Sequence, residues 1–365
     1  MSFHGSYRAE DVEFLLTPIQ LTQLHDVADK EQLIQSGARH YSEMLTPEQL
    51  PTAQYMQLFD DALQRNGQRM ATDCLQLCAD LAASVCGEIV IVSLARAGTP
   101  VGAILKHLLQ RRLQRDCSHY SISIIRDRGI DAVALDHVRA RHADASIVFV
   151  DGWTGKGVIS RELRAAIADY NRTRGAALAD GLYVLADLCG VAHHAASYED
   201  YLIPSAILNS TVSGLVSRSI LNDQIGPGQF HGCVYFDQFR SNDLSVAFVE
   251  RIVALGMHAS VPAPSPSLSG QAADKQRCAS VSASYMQQVC DQYGIADLNL
   301  VKPGIAEATR VLLRRLPDRL ILRDETQADV AHLKRLALEK GVAVQCDPDL
   351  PYSAVSLIRS VANGH

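Results

Sequence analysis

The sequence has no run of 18 consecutive apolar residues, no CxxC pair among its nine cysteines and no internal repeat. The first absence excludes a helical membrane span. The second argues against a zinc framework or a disulfide scaffold and fits reduced, mostly buried thiols. The opening stretch MSFHGSYRAEDVEFLL carries no basic segment followed by an apolar core. A secretory leader is therefore not expected, and the reading is of a soluble, cytoplasmic protein without membrane contact. Net charge is also small: 34 basic residues stand against 40 acidic ones, giving −6. This argues against attraction of the whole chain to nucleic acid or to an anionic membrane but leaves room for a local basic patch.

What is present is ordinary globular composition, 47% apolar and 20% charged over 365 residues, enough for more than one core. Residues 1–50 read as an N-terminal helical arm with two short helices. From Gln54 to Val85 apolar residues recur at helical spacing, which predicts one long amphipathic helix or two. Short apolar runs then alternate with helical stretches: EIVIVSL, a helix from Pro100 to Arg112, YSISII, SIVFVD, a helix from Val158 to Tyr170, and GLYVLAD. That alternation predicts an α/β fold with a mainly parallel sheet, helices on both faces, and ligands beyond the carboxyl ends of the strands. A Pro/Ser/Ala-rich stretch, SVPAPSPSLSGQAADKQR, reads as linker. A small α/β module follows. The expected divisions are 1–50, 51–258, a linker over 259–282, and 283–365.

Two loops carry the chemistry. In VFVDGWTGKGVISREL an apolar strand ends at Asp151, and Gly152, Gly155 and Gly157 precede a helix. Backbone N–H groups freed by glycine, with a helix N-terminus behind them, suit a phosphate. The spacing is too short for a nucleoside-triphosphatase loop, and Gly157 stands where Ser or Thr would follow Lys156. An ordinary strand-to-helix turn is the plainer alternative. In VSLARAGTPVGAIL, Arg96 between Ala95 and Ala97, with Gly98 behind, could grip a second anion in a bidentate manner; an exposed surface arginine is the alternative there.

With these loops in view, the chain resembles the type I phosphoribosyltransferases. The resemblance implies that Asp151 holds ribose hydroxyls. Gly152, Thr154, Gly155, Lys156 and Gly157 would hold a 5-phosphate, and Ala95, Arg96, Ala97 and Gly98 diphosphate. Mg2+ would bridge phosphoribosyl diphosphate, touching Asp151 through the ligand. Arg126 and Arg128 in IIRDRGID could close over the diphosphate, Asp127 and Asp131 are secondary metal candidates, and DLCGVA (187–192) could floor an acceptor site. More narrowly, HYSEML, VDGWTGKGVISREL, NSTVSGLVSRSILN and FHGCVYF resemble a bacterial family of tellurite-resistance and stress clusters. That family joins a phosphoribosyltransferase-like domain to a Pelota-like RNA-binding domain, and its members are also labelled StiP-type cysteine proteases.

A protease needs a thiolate, a base and an oxyanion hole. Cys233 in FHGCVYF, with His231 two residues earlier and His193 or His194 as other bases, is the candidate; a buried structural cysteine fits the same apolar setting. Ser210, Thr211, Ser213 and Arg218 could bind anions or cap a helix. In KPGIAEATRVLLRR, residues Gly304, Glu307, Thr309 and Arg310 resemble the Pelota and kink-turn signature. Lys302, Arg314 and Arg315 extend its basic face toward RNA; a solvated amphipathic helix is the alternative. Three functions follow as expectations. The first is a phosphoribosyltransferase ribosylating a base-like acceptor in nucleotide metabolism. The second is a non-catalytic sensor of phosphoribosyl diphosphate or nucleotide coupled to RNA, and the third a cysteine peptidase using Cys233. A homodimer is compatible with each.

Overall fold

The computed structural model describes residues 2–21, 24–265 and 268–361. Its centre is a six-stranded sheet in the order β1-β4-β3-β7-β8-β9, with every neighbouring pair parallel. The strands are β1 (Glu13–Leu15), β3 (Ile89–Leu94), β4 (Cys117–Ile122), β7 (Ile147–Thr154), β8 (Leu182–Asp187) and β9 (His194–Ser197). β3 is buried throughout and β7 along its first four residues, as continuous apolar runs covered on both faces must be. Between β1 and β3 lie β2 (Thr17–Pro18), α1 (Val27–Gln35) and α2 (Ala53–Ser84). The N-terminal stretch is thus no two-helix arm: its first segment is an edge strand of the main sheet, and a single helix follows.

One face of the sheet is covered by α2, α3 (Gly98–Arg111) and α6 (Ser245–His258), whose Leu75, Leu81, Ile104, Leu108, Phe248 and Ile252 are buried in one core. The other face holds α4 (Ala132–Arg139) and α5 (Val158–Arg174), packing Leu135, Leu163 and Ile167 against Val92 and Phe149. A small antiparallel hairpin, β5 (Ile124–Ile125) with β6 (Gly129–Ile130), and a parallel pair of β2 with β10 (Gly232–Cys233) sit beside the carboxyl end of β4.

The expected linker is helical over most of its length. Residues 266 and 267 lie outside the described residues, and α7 (Leu268–Tyr293) begins directly after them. Gly190 lets α7 sit down on the sheet edge: its φ is +67°, and an added Cβ would lie 2.0 Å from the Lys275 carbonyl oxygen. Gly190→Ala is expected to cost at least about 2 kcal/mol, from left-handed strain plus a backbone clash, read as an early thermal melt. The C-terminal sheet has the order β11-β14-β12-β13, from β11 (Val301–Pro303), β12 (Pro317–Leu322), β13 (Ala343–Cys346) and β14 (Ala354–Ile358), with α8 (Ile305–Arg314) and α9 (Ala331–Glu339). Its Ile305, Leu312, Leu320 and Leu333 belong to the same core as α2 and α3.

Candidate functional site

The carboxyl edge of the main sheet, where a parallel sheet places its ligands, faces the C-terminal domain. β7 runs on to Thr154, and Gly157, at φ +73°, turns the chain into α5. In the expected phosphate cradle two side chains are engaged by the C-terminal domain. Trp153 Nε1 donates to Glu307 Oε1 at 3.1 Å, and Lys156 Nζ donates to the Val301 carbonyl at 3.0 Å and to that of Leu298. A Cβ on Gly155 would meet the Pro303 carbonyl at 2.8 Å, so that glycine serves close approach of two backbones. Asp151 accepts from its own Gly152 N–H at 2.8 Å, and burial pushes its carboxyl up to about 6.

The second loop is also occupied. Arg96 donates to the Val216 carbonyl at 2.7 Å and forms a 2.5 Å ion pair with Glu48, both side chains nearly buried. Gly98 is small because a Cβ there would strike the Val150 carbonyl at 2.6 Å; Ala95 and Ala97 flank this packed turn. Arg126 bonds Asp127 at 2.9 Å and Asn299 at 3.2 Å, while Arg128 bonds the Leu221 carbonyl at 3.0 Å and pairs with Glu43. Asp131 caps α4 through Ala134 N–H and accepts from His231 N–H at 2.6 Å. Asp127 and Asp131 thus serve local structure, and among the described residues no group of three or more metal-ligating side chains converges.

Asp187, not singled out among the catalytic candidates, organises the DLCGVA turn. It accepts from Thr154 Oγ1 at 2.6 Å, Cys189 N–H at 3.1 Å and Ala192 N–H at 2.8 Å. Burial raises the adjacent Cys189 thiol to about 12. Cys233 lies on β10, fully buried, its thiol pushed up to about 12 by burial. His231 Nδ1 is 2.8 Å from Ser123 Oγ, while its Nε2 has no hydrogen-bond partner among the described residues. Burial lowers its pKa, so the ring is neutral near pH 7 and able to accept a proton. His193 and His194 lie elsewhere: His194 pairs with Tyr183 near the start of β8, stacks on that ring at 4.9 Å and has its Nδ1 3.7 Å from Asp80. They sit at the amino end of the sheet, whereas β10 lies by its carboxyl end.

The expected RNA signature turns inward. Gly304 has φ +93°, and Ile305 N–H donates to Asp200 at 2.9 Å. Thr309 Oγ1 bonds the Ile305 carbonyl and His332 Nε2. Arg310 pairs with Glu307 at 2.8 Å and lies over the Trp153 ring at 4.5 Å, and Arg315 clasps Glu31 through two 2.6 Å bonds. Trp153, Lys302, Glu307, Arg310, Arg314 and Arg315 line a cavity of about 990 Å³ between α1, α8 and the 151–157 loop, while Gly304 and Thr309 do not reach it.

Residues 5–253 match the family model of the tellurite-like stress resistance cysteine protease StiP, and residues 280–360 match that of the PELOTA RNA binding domain. A relative from Acinetobacter baylyi, named Cysteine protease StiP, is 43% identical over 375 residues, which covers 99% of this chain and 96% of that one. The chain belongs to the StiP family. This overturns the phosphoribosyltransferase expectation and the nucleotide-metabolism role drawn from it, since family model and relative both carry a protease name. The physical counterpart is visible in both loops: Arg96 is spent on Glu48, and Trp153 and Lys156 of the 151–157 loop are engaged by the Pelota-type domain. The stress-resistance and Pelota features of the reading stand. No described StiP-family helix here is long and apolar enough to cross a membrane.

Proposed function

We propose that this chain is a cysteine peptidase of a tellurite-like stress response carrying its own RNA-binding domain, with Cys233 as nucleophile and His231 as base. Kinship along the full chain supports the reaction class. The residue assignment is carried by His231, whose Nδ1 is held at Ser123 while Nε2 stays unengaged among the described residues. His231 directly precedes β10, on which Cys233 lies, and positions two apart on extended chain share a face, which supports pairing the two. Cys117 and His119 repeat the spacing, but His119 bonds both Ser93 Oγ and the Asp11 carbonyl, and burial drives it down to about 3. It has no nitrogen to offer a thiol.

In the reaction His231 Nε2 takes the Cys233 proton, and the thiolate attacks the scissile carbonyl carbon. The imidazolium then gives that proton to the departing amine, leaving a thioester. Water, deprotonated by His231, cleaves the thioester and returns the thiol. In the resting fold Cys233 is fully buried in the main core, so a peptide reaches the thiol only after local opening around β10. The test is hydrolysis of labelled casein by the full chain, with iodoacetamide as thiol block. Cys233→Ala and His231→Ala are each expected to lose on the order of 10³-fold or more. Full activity in Cys233→Ala, with loss in Cys189→Ala, would remove the assignment. Activity indifferent to iodoacetamide would remove the reaction class.

A further inference from the structure

The cavity between the two domains has a charge imbalance that the peptidase reading does not use. The chain as a whole is at −6, yet ten Lys and Arg residues line this cavity against four acids, Asp151, Asp297, Glu307 and Asp318. Some of the cations have carboxylate partners: Arg126 with Asp127, Arg310 with Glu307, Arg315 with Glu31, Arg319 with Asp318. Six have no ion-pair partner among the described residues: Lys30, Lys156, Arg218, Lys302, Arg314 and Arg359. Lys30 reaches only the Thr46 hydroxyl at 2.9 Å, Lys156 only carbonyls, and Arg218 only carbonyl oxygens, among them those of Tyr41 and Met44. Arg314 Nε is buried with no hydrogen-bond partner.

These groups repel one another. Burial, then Arg218, Arg315 and Arg314, bring Lys30 down to about 7; burial and Lys302 bring Lys156 to about 7. Burial and Arg96 hold Arg314 well below its ordinary value. Lys30 is buried and Lys156, Arg218, Lys302 and Arg314 are half-buried, and with Arg359 these groups, drawn from α1, the 156 loop, the 218 segment, β11, α8 and the residue after β14, converge on one space.

The ligand's chemistry can be narrowed further. The aromatic rings on the wall are already covered by guanidinium groups: Trp153 by Arg310 at 4.5 Å, Tyr41 by Arg126 at 5.3 Å and Arg218 at 5.2 Å, Tyr293 by Arg319 at 4.8 Å. At least one face of each ring is therefore taken, which disfavours the base stacking by which single-stranded RNA is held. The volume, about 990 Å³, is that of a small-molecule site and much more than a lone phosphate fills. We infer that this interdomain cavity binds a small ligand carrying two or more linked phosphates, whose charge ties the C-terminal domain to the main sheet. The inference does not depend on which thiol, if any, cleaves peptides.

The experiment is calorimetry and thermal melting of the full chain with sodium tripolyphosphate, ATP, sodium sulfate and a short single-stranded RNA. Tripolyphosphate and ATP are expected to bind within about tenfold of each other and to raise the melt. Sulfate should be at least tenfold weaker. Arg314→Leu and Lys302→Met should each weaken tripolyphosphate at least tenfold. Neither cation makes an ion pair at contact distance, so neither variant should lower the melt of the ligand-free chain; Arg314 also lies within electrostatic reach of Glu48, and if Arg314→Leu does lower it, Lys302→Met decides the question. Binding of ATP without tripolyphosphate, of RNA without either, or tripolyphosphate affinity retained in both variants would overturn the inference.

Discussion

Glu48→Gln is expected to cost about 3–5 kcal/mol of stability, because it leaves a buried guanidinium unpaired. Glu48 and Arg96 are both nearly buried and 2.5 Å apart, and the other carboxylate oxygen accepts from Ser210 N–H at 3.1 Å. Burial alone would raise the Glu48 carboxyl, yet Arg96 and Arg314 together hold it below its usual range. That reversal measures how strongly the surrounding cations need this anion. Glutamine keeps a hydrogen bond to Ser210 but withdraws the charge, leaving Arg96, Arg314 and Arg218 facing one another. Denaturant unfolding checks the loss, and Arg96→Leu in the Glu48→Gln background should recover part of it. A single variant as stable as the parent would show that the pair is not the anchor of this cluster.

Asp200→Ala should loosen the C-terminal domain at a cost of about 3 kcal/mol, since it strands buried backbone donors that no water replaces. One carboxylate accepts from Ile305 N–H at 2.9 Å, Ser353 N–H at 2.8 Å and Ala354 N–H at 3.4 Å. It therefore holds the first turn of α8 and the start of β14 together from a loop of the main domain. Gly304 precedes that turn at φ +93°, and a Cβ there would lie 2.5 Å from Leu188 and 3.4 Å from Asp200. Hydrogen exchange is the direct readout: amides of 301–306 and 353–355 should lose protection in Asp200→Ala well before those of β3 and β7. Unchanged protection of these amides would rule out Asp200 as the clasp.

Much of the main sheet is legible because its strands are buried on both sides and read as apolar runs: IVIVSL is β3 and LYVLAD is β8. The helix over Gln54–Val85 emerges as α2 for the same kind of reason, its 3.6-residue periodicity. β1, at three residues, is too short for alternation to register, and its pairing with β4 links positions more than 100 apart. β11 and β14 escape for similar reasons, and α7 is obscured by the Pro/Ser-rich residues just before it. The glycine loop shows the limit most clearly. Strand, turn and helix N-terminus around Asp151 are readable locally, but Trp153 with Glu307 and Lys156 with Val301 join residues some 150 positions apart. Only the fold shows that Trp153 and Lys156 are engaged by the C-terminal domain, and the same holds for Arg96, whose carboxylate partner sits in the stretch before α2.

The 32 residues of α2 run about 48 Å at 1.5 Å per residue, far enough to touch both parts of the molecule. Along that length Leu75 and Leu81 sit in the core of the main sheet, while Arg65 and Asn66 bond Asp329, just before α9, and Gln54 meets Arg335. Asp329 in turn accepts from Leu202 N–H of the main domain at 3.0 Å. Two modules that are separate in sequence therefore share a single beam. Strain applied at the Pelota-type end is carried along the helix axis to the helical layer on the main sheet, so the boundary between the modules is genetic rather than mechanical.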